Sequence, residues 1–136
     1  MNKESTIFIS IASYRDTELI PTIQDCIQNA SMKDHIIFGI CIQDTEENLS
    51  SFPFKGPTFK VWKVHYTKSK GVSWARKLIQ DKLYGNEKYY LQIDSHTRFI
   101  ENWDQEIINM LDKCPSKKPI ISTYPNSYCL NDDNKK

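Results

Sequence analysis

The sequence predicts one α/β domain, a mostly parallel sheet with flanking helices. Three observations carry that expectation. Residues 6–12 and 35–43 are almost continuously apolar and rich in β-branched and aromatic side chains, as in strands covered on both faces. Such runs alternate along the chain with segments whose apolar residues recur at helical spacing, the pattern of parallel strands joined by helical crossovers. The length of 136 residues, with 39% hydrophobic and 26% charged side chains, suits one core and excludes disordered and fibrous classes.

In chain order, residues 6–12 form the first and central strand. Asp16 can cap the helix that follows, where Ile20, Ile23, Ile27 and Ala30 mark one face over about three turns. Pro21 is tolerated there only because it falls near the start. Residues 35–43 repeat the buried-strand pattern, residues 44–57 read as a long loop with two prolines, and residues 58–66 as a third strand. Gly71 opens a helix over about residues 72–84, with Val72, Ala75, Ile79 and Leu83 on one face and Gly85 as its stop. Residues 89–93 form a strand running into the polar string Asp94-Ser95-His96-Thr97-Arg98. Trp103, Ile107, Ile108 and Leu111 mark a helix over residues 103–111, and residues 119–124 a last short strand. Residues 131–136 are a polar tail, which leaves residues 1–130 as the domain. There is no internal repeat.

Several classes are excluded. The longest apolar run, residues 36–42, spans seven positions, whereas a membrane-spanning helix needs about 20. The opening residues lead straight into a strand without the apolar stretch of an export signal, so neither a membrane nor a secreted location is expected. The four cysteines, Cys26, Cys41, Cys114 and Cys129, form no C-x-x-C pair, which argues against structural zinc and for reduced thiols in a cytosolic compartment. Cys26 and Cys41 sit in apolar patterns and are expected in the core.

The net charge of +1 hides an uneven distribution. Residues 1–47 hold three basic and eight acidic side chains, whereas residues 48–80 hold seven basic and no acidic ones. Lys55, Lys60, Lys63, Lys68, Lys70, Arg76 and Lys77 stand there among Phe52, Phe54, Phe59, Trp62, Tyr66 and Trp74. That block reads either as a solvated basic face or as a site for an anion, a diphosphate or a nucleic-acid backbone.

In an open parallel sheet, ligands bind beyond the carboxyl ends of the strands. The first strand ends in Ser13-Tyr14-Arg15-Asp16, the third in Lys68-Ser69-Lys70-Gly71, and the fourth in Asp94-Ser95-His96. Asp94 and His96 lie two residues apart, so on an extended chain both point to one side and could grip one divalent ion, for which an oxygen and an imidazole suit manganese. The alternative is a turn in which Asp94 satisfies backbone N–H groups. Gly71 permits close backbone approach, so residues 68–75 could cradle a phosphate or simply make an ordinary strand-to-helix turn. Arg15, Arg76 and Arg98 carry forked donors suited to phosphate or a uracil edge, against the ordinary alternative of surface salt bridges. No G-x-x-x-x-G-K-[ST], G-x-G-x-x-G or G-x-S-x-G string occurs. P-loop, dinucleotide and nucleophile-elbow chemistry are thereby disfavoured.

Taken in order, residues 9–16 (ISIASYRD), Phe38-Gly39-Ile40 with Gln43, residues 71–76 (GVSWAR), and residues 90–99 (YLQIDSHTRF) with Trp103-Asp104 resemble the GlcNAc-transferase family. Its known members include cytoplasmic enzymes that glycosylate hydroxyproline on a ubiquitin-ligase subunit. Asp94-Ser95-His96 stands in the place of the DxD motif of GT-A glycosyltransferases. The resemblance implies a GT-A fold, a UDP-GlcNAc donor, and Mn2+ or Mg2+ between Asp94 or His96 and the diphosphate. It places Arg15, Lys70, Gly71, Arg76 and Asp94 at the nucleotide sugar, and a protein or glycan hydroxyl as acceptor. A nucleic-acid-binding module and an inactive donor-binding domain are the competing classes. The family's domain is longer, so this chain is expected to hold the donor half only. Self-association, or a complementing C-terminal segment, would then cover the exposed sheet, and no catalytic base is assigned.

Overall fold

Where apolar side chains occupy successive positions of a strand, both faces of the sheet must be covered, and the chain meets that demand twice. In the computed structural model, which describes residues 6–45, 52 and 54–122, β1 (Ile7–Tyr14) and β2 (Ile36–Asp44) are the inner strands, buried along nearly their whole length. β3 (Thr58–His65) and β4 (Tyr89–Asp94) flank them, giving a four-stranded parallel sheet in the order β3-β2-β1-β4. β4 alternates half-buried and exposed positions, with Tyr89, Leu91 and Ile93 turned to the core.

Helices cover both faces. α1 (Leu19–Asn29) and α3 (Trp103–Asp112) bury Ile23, Ile27, Trp103 and Ile108 against Ile7, Ile9, Ile11, Ile36, Phe38 and Ile40. On the opposite face α2 (Val72–Leu78) and the turn after it set Ala75 and Ile79 against Phe8, Ile37 and Cys41. The two strands interlock there because Gly39 has no side chain. A Cβ at that position would lie 2.0 Å from Cζ of Phe8. Cys26 and Cys41 are fully buried, as expected for small apolar fillers, and burial pushes the Cys41 thiol up to about 11.

Four expectations change. Ile20 is exposed, and α1 buries Leu19, Thr22, Ile23, Cys26 and Ile27 instead, because the helix is rotated to bring Thr22 under the chain leaving β4. The helix expected over residues 72–84 is α-helical for seven residues and then widens into a π-type turn, Ile79–Leu83, closed by the Tyr84 N–H donating to Ile79 O at 3.0 Å. Its end is held less by Gly85 than by Lys60 of β3, which donates to Leu83 O at 3.1 Å and pairs with Glu87 at 3.3 Å. Residues 119–122 do not form a strand, and Ile120 there is 89% exposed. Residues 123–124 of that segment, residues 46–51 and 53 of the expected loop, Cys129 and the tail 131–136 lie outside the described residues. Among the described residues no helix is long and apolar enough to cross a membrane.

Candidate functional site

The chain steps from β1 to β2 to β3 in one direction, then returns to place β4 on the other side of β1. That reversal opens a crevice at the carboxyl ends of β1 and β4, the position where open α/β sheets receive ligands. Two of the strand ends singled out from sequence meet here.

Arg15 makes the exit from β1. Its backbone is left-handed, with φ of 47°, and its N–H donates to Gln43 O at 3.0 Å. Its guanidinium lies 4.3 Å from the centre of the Tyr66 ring, a cation–π contact. Asp16 then turns toward β4. One of its oxygens accepts the Glu18 N–H at 2.8 Å, and the other accepts Ser95 Oγ–H at 2.6 Å and faces His96 Nδ1 at 3.0 Å. Burial pushes the Asp16 carboxyl up, but Ser95, the Glu18 amide and His96 outweigh it and hold the group below its ordinary value.

Asp94, the last residue of β4, points to the α2 side and pairs with Arg76 at 3.1 Å. Its other oxygen lies 3.9 Å from His96 Nε2. Asp94 and His96 keep more than half of their side-chain surface exposed, and Arg76 about a third. The structure therefore brings together Arg76, Asp94 and His96, with Asp16 behind them. Arg15 stands on the same rim against Tyr66.

Lys70 and Gly71 belong to the loop after β3. Gly71 is required by its backbone, since φ is 103° and a Cβ would meet nothing within 4 Å. Gln43 ties this loop to the rim, donating from Nε2 to Ser13 O at 3.1 Å and accepting Ser69 Oγ–H at 2.5 Å. Ser69 Oγ in turn accepts the Gly71 N–H at 3.2 Å. Lys70 itself is exposed.

Arg98 takes the salt-bridge alternative. It does not face the crevice, because Glu18 and the Thr97 carbonyl engage it and only 12% of its side chain is exposed. It belongs to a rail along α1 whose importance the apolar spacing did not reveal. Thr22 Oγ1 donates to Ser95 O and accepts the Thr97 N–H, both at 2.9 Å, Asp25 accepts the Phe99 N–H, and Asn29 O accepts the Asn102 N–H at 2.7 Å. Glu18, Thr22, Asp25 and Asn29 fall at helical spacing, so a polar stripe on α1 was the available signal. The basic block is in part paired locally, Lys60 with Glu87, Arg76 with Asp94 and Lys77 with Asp81.

Asp94 Oδ2 and His96 Nε2 are an oxygen and an imidazole nitrogen on one accessible rim, donor types that manganese accepts. Among the described residues no group of three or more His, Cys, Asp or Glu side chains is placed to hold a metal. A cation here would take two side chains and complete its shell with water or phosphate oxygens. The donor set fits a cation bound together with its anionic ligand.

No curated protein and no solved structure matches the chain. The family model for Glycosyltransferase (GlcNAc) matches it over residues 6–58 and 53–136, which takes in every strand and helix that forms this rim. The chain belongs to the GlcNAc glycosyltransferase family.

Proposed function

We propose that the protein transfers GlcNAc from UDP-GlcNAc to a hydroxyl of a protein or glycan, hydroxyproline included, with Mn2+ or Mg2+ held by Asp94 and His96 in a GT-A-type donor site. The observation that carries this reading is the gathering of Arg76, Asp94 and His96 at the β1–β4 crevice of a chain in this family. Arg76 supplies cationic charge to the diphosphate. Arg15 presents forked donors to the nucleotide from a guanidinium already braced on Tyr66. Lys70 and Gly71 shape the donor loop, which Gln43 holds in register with β1. When bound, the cation supplies Lewis-acid stabilisation of the departing diphosphate.

Isothermal titration of UDP and UDP-GlcNAc, with and without manganese, tests the reading. Manganese is expected to tighten UDP binding, and Asp94→Ala is expected to remove that gain while leaving the melting temperature nearly unchanged, because Asp94 is exposed at the strand end. Manganese-dependent affinity that survives in the variant would remove the metal assignment. UDP binding without sugar release would identify a donor-binding domain rather than a transferase. Salt-dependent affinity for long single strands, without UDP binding, would favour a nucleic-acid module.

A further inference from the structure

We infer that Asp16 is a positioning residue: it holds His96 as the Nδ1–H tautomer, so that Nε2 presents a lone pair toward Asp94. The inference rests on the metal-assisted reading above for its purpose, and on geometry for its content. Asp16 Oδ2 stands 3.0 Å from His96 Nδ1. A carboxylate only accepts hydrogen bonds, so the hydrogen in that contact is on Nδ1. Nε2 of the neutral ring then has no hydrogen, and it is the nitrogen turned to Asp94 Oδ2, 3.9 Å away. Without that constraint a neutral imidazole would be free to place its hydrogen on Nε2 and donate it to the Asp94 carboxylate, closing the donor pair.

Asp16 can impose the tautomer because its own carboxylate is fixed. The Glu18 N–H holds Oδ1 at 2.8 Å and the Ser95 hydroxyl holds Oδ2 at 2.6 Å, while His96 remains 60% exposed at the rim. Asp16 comes from the exit of β1, Ser95 and His96 from the exit of β4, so the contact also fixes the two lips of the crevice against each other. Carboxylates that orient histidines toward cations work in this way, and losing one costs about 10- to 100-fold in metal affinity.

Asp16→Asn separates positioning from a purely structural role. With the amide oxygen still accepting the Glu18 N–H, the NH2 group takes the place of Oδ2 and can only donate, so Ser95 Oγ and His96 Nδ1 both become acceptors. Long-range 15N–1H correlation spectra at about pH 8.5, above the ordinary imidazole range, read the tautomer directly, with the His96 signals assigned by His96→Gln. The expected result is Nδ1–H in the wild type and Nε2–H in Asp16→Asn, with similar melting temperatures. Manganese titration followed by electron paramagnetic resonance in the presence of UDP is expected to show at least about tenfold weaker binding in the variant. A wild-type Nε2–H tautomer, a tautomer that does not move in Asp16→Asn, or equal manganese affinity in the two proteins would overturn the inference. Failure of the wild type to bind manganese, with the tautomer switch intact, would sink the metal reading and leave the orienting contact standing.

Discussion

At the crevice, side chains of opposite charge neutralise one another. Arg76 and Asp94 pair at 3.1 Å, and Nε of Arg76 is buried without a hydrogen-bond partner. A largely exposed pair of this kind contributes little to stability. On the proposed function its value lies in what an anionic ligand can take over. Arg76→Ala is therefore expected to weaken UDP binding by about tenfold or more, as loss of a charge-assisted contact should, while uridine, lacking the diphosphate, is weakened much less. Parallel titrations of the two ligands check this, and equal losses would move Arg76 to the base or ribose.

The segment from β4 to α3 buries Phe99 in the core, and two neighbouring elements hold its backbone. α1 supplies the rail of Glu18, Thr22, Asp25 and Asn29, and the first turn of α3 returns the favour at the end of α1. There, Asp104 is almost fully buried and accepts the Ser31 N–H at 2.8 Å, the Ser31 hydroxyl at 2.9 Å and the Met32 N–H at 2.9 Å. Trp103 beside it donates from Nε1 to Cys26 O at 2.9 Å. Asp104→Asn retains only part of this acceptor set and is expected to cost about 2–3 kcal/mol, measured by urea unfolding. Burial pushes the Asp104 carboxyl up, but the amides of Ser31 and Met32 and the Ser31 hydroxyl outweigh it and leave the group below its ordinary value of 3.8. A depressed folded value means that its contribution is complete above that pH and fades as the pH falls through the lower folded value. The stability gap between wild type and Asp104→Asn should accordingly narrow below about pH 3.8. A gap that stays constant through the acid limb would show that Asp104 does not stabilise the fold as an anion.

Across the whole molecule, stability is graded outward from β1 and β2. Both are covered on two faces and hydrogen-bonded on both edges, whereas β3 and β4 each have one unpaired edge among the described residues. The amides of β1 and β2 should exchange with solvent only through global unfolding, and those of β4 through smaller local openings. Hydrogen exchange is expected to be slowest over residues 8–13 and 37–42, and equal protection of β4 would contradict this grading. The crevice thus joins an inner strand to an edge strand, and the Asp16–Ser95–His96 contacts hold the two together. A cavity of about 680 Å³ borders the amino-terminal part of β4, between Tyr89, Leu91, Trp103, Ile107 and Ile121, and none of the candidate site residues lines it.

What the sequence determined by itself was the order of the elements through α3, the burial of β1 and β2, and which strand ends lie at the rim. Those features are local: a continuous apolar run demands cover on both faces, and residues just beyond it must lie at the rim. The rim positions of Asp94 and His96 were legible for that reason. Tertiary structure alone decided that β4 lies beside β1, which makes the crevice, and that Arg98 braces α1 instead of facing a ligand. It also decided that Asp16 meets His96 and that Asp104 meets Ser31, contacts across 80 and 73 residues of chain. Periodicity records which way a side chain faces within its own element. It holds no record of which polar partner a distant segment brings to that face, and a carboxylate that caps a helix looks the same in sequence as one that also orients a histidine.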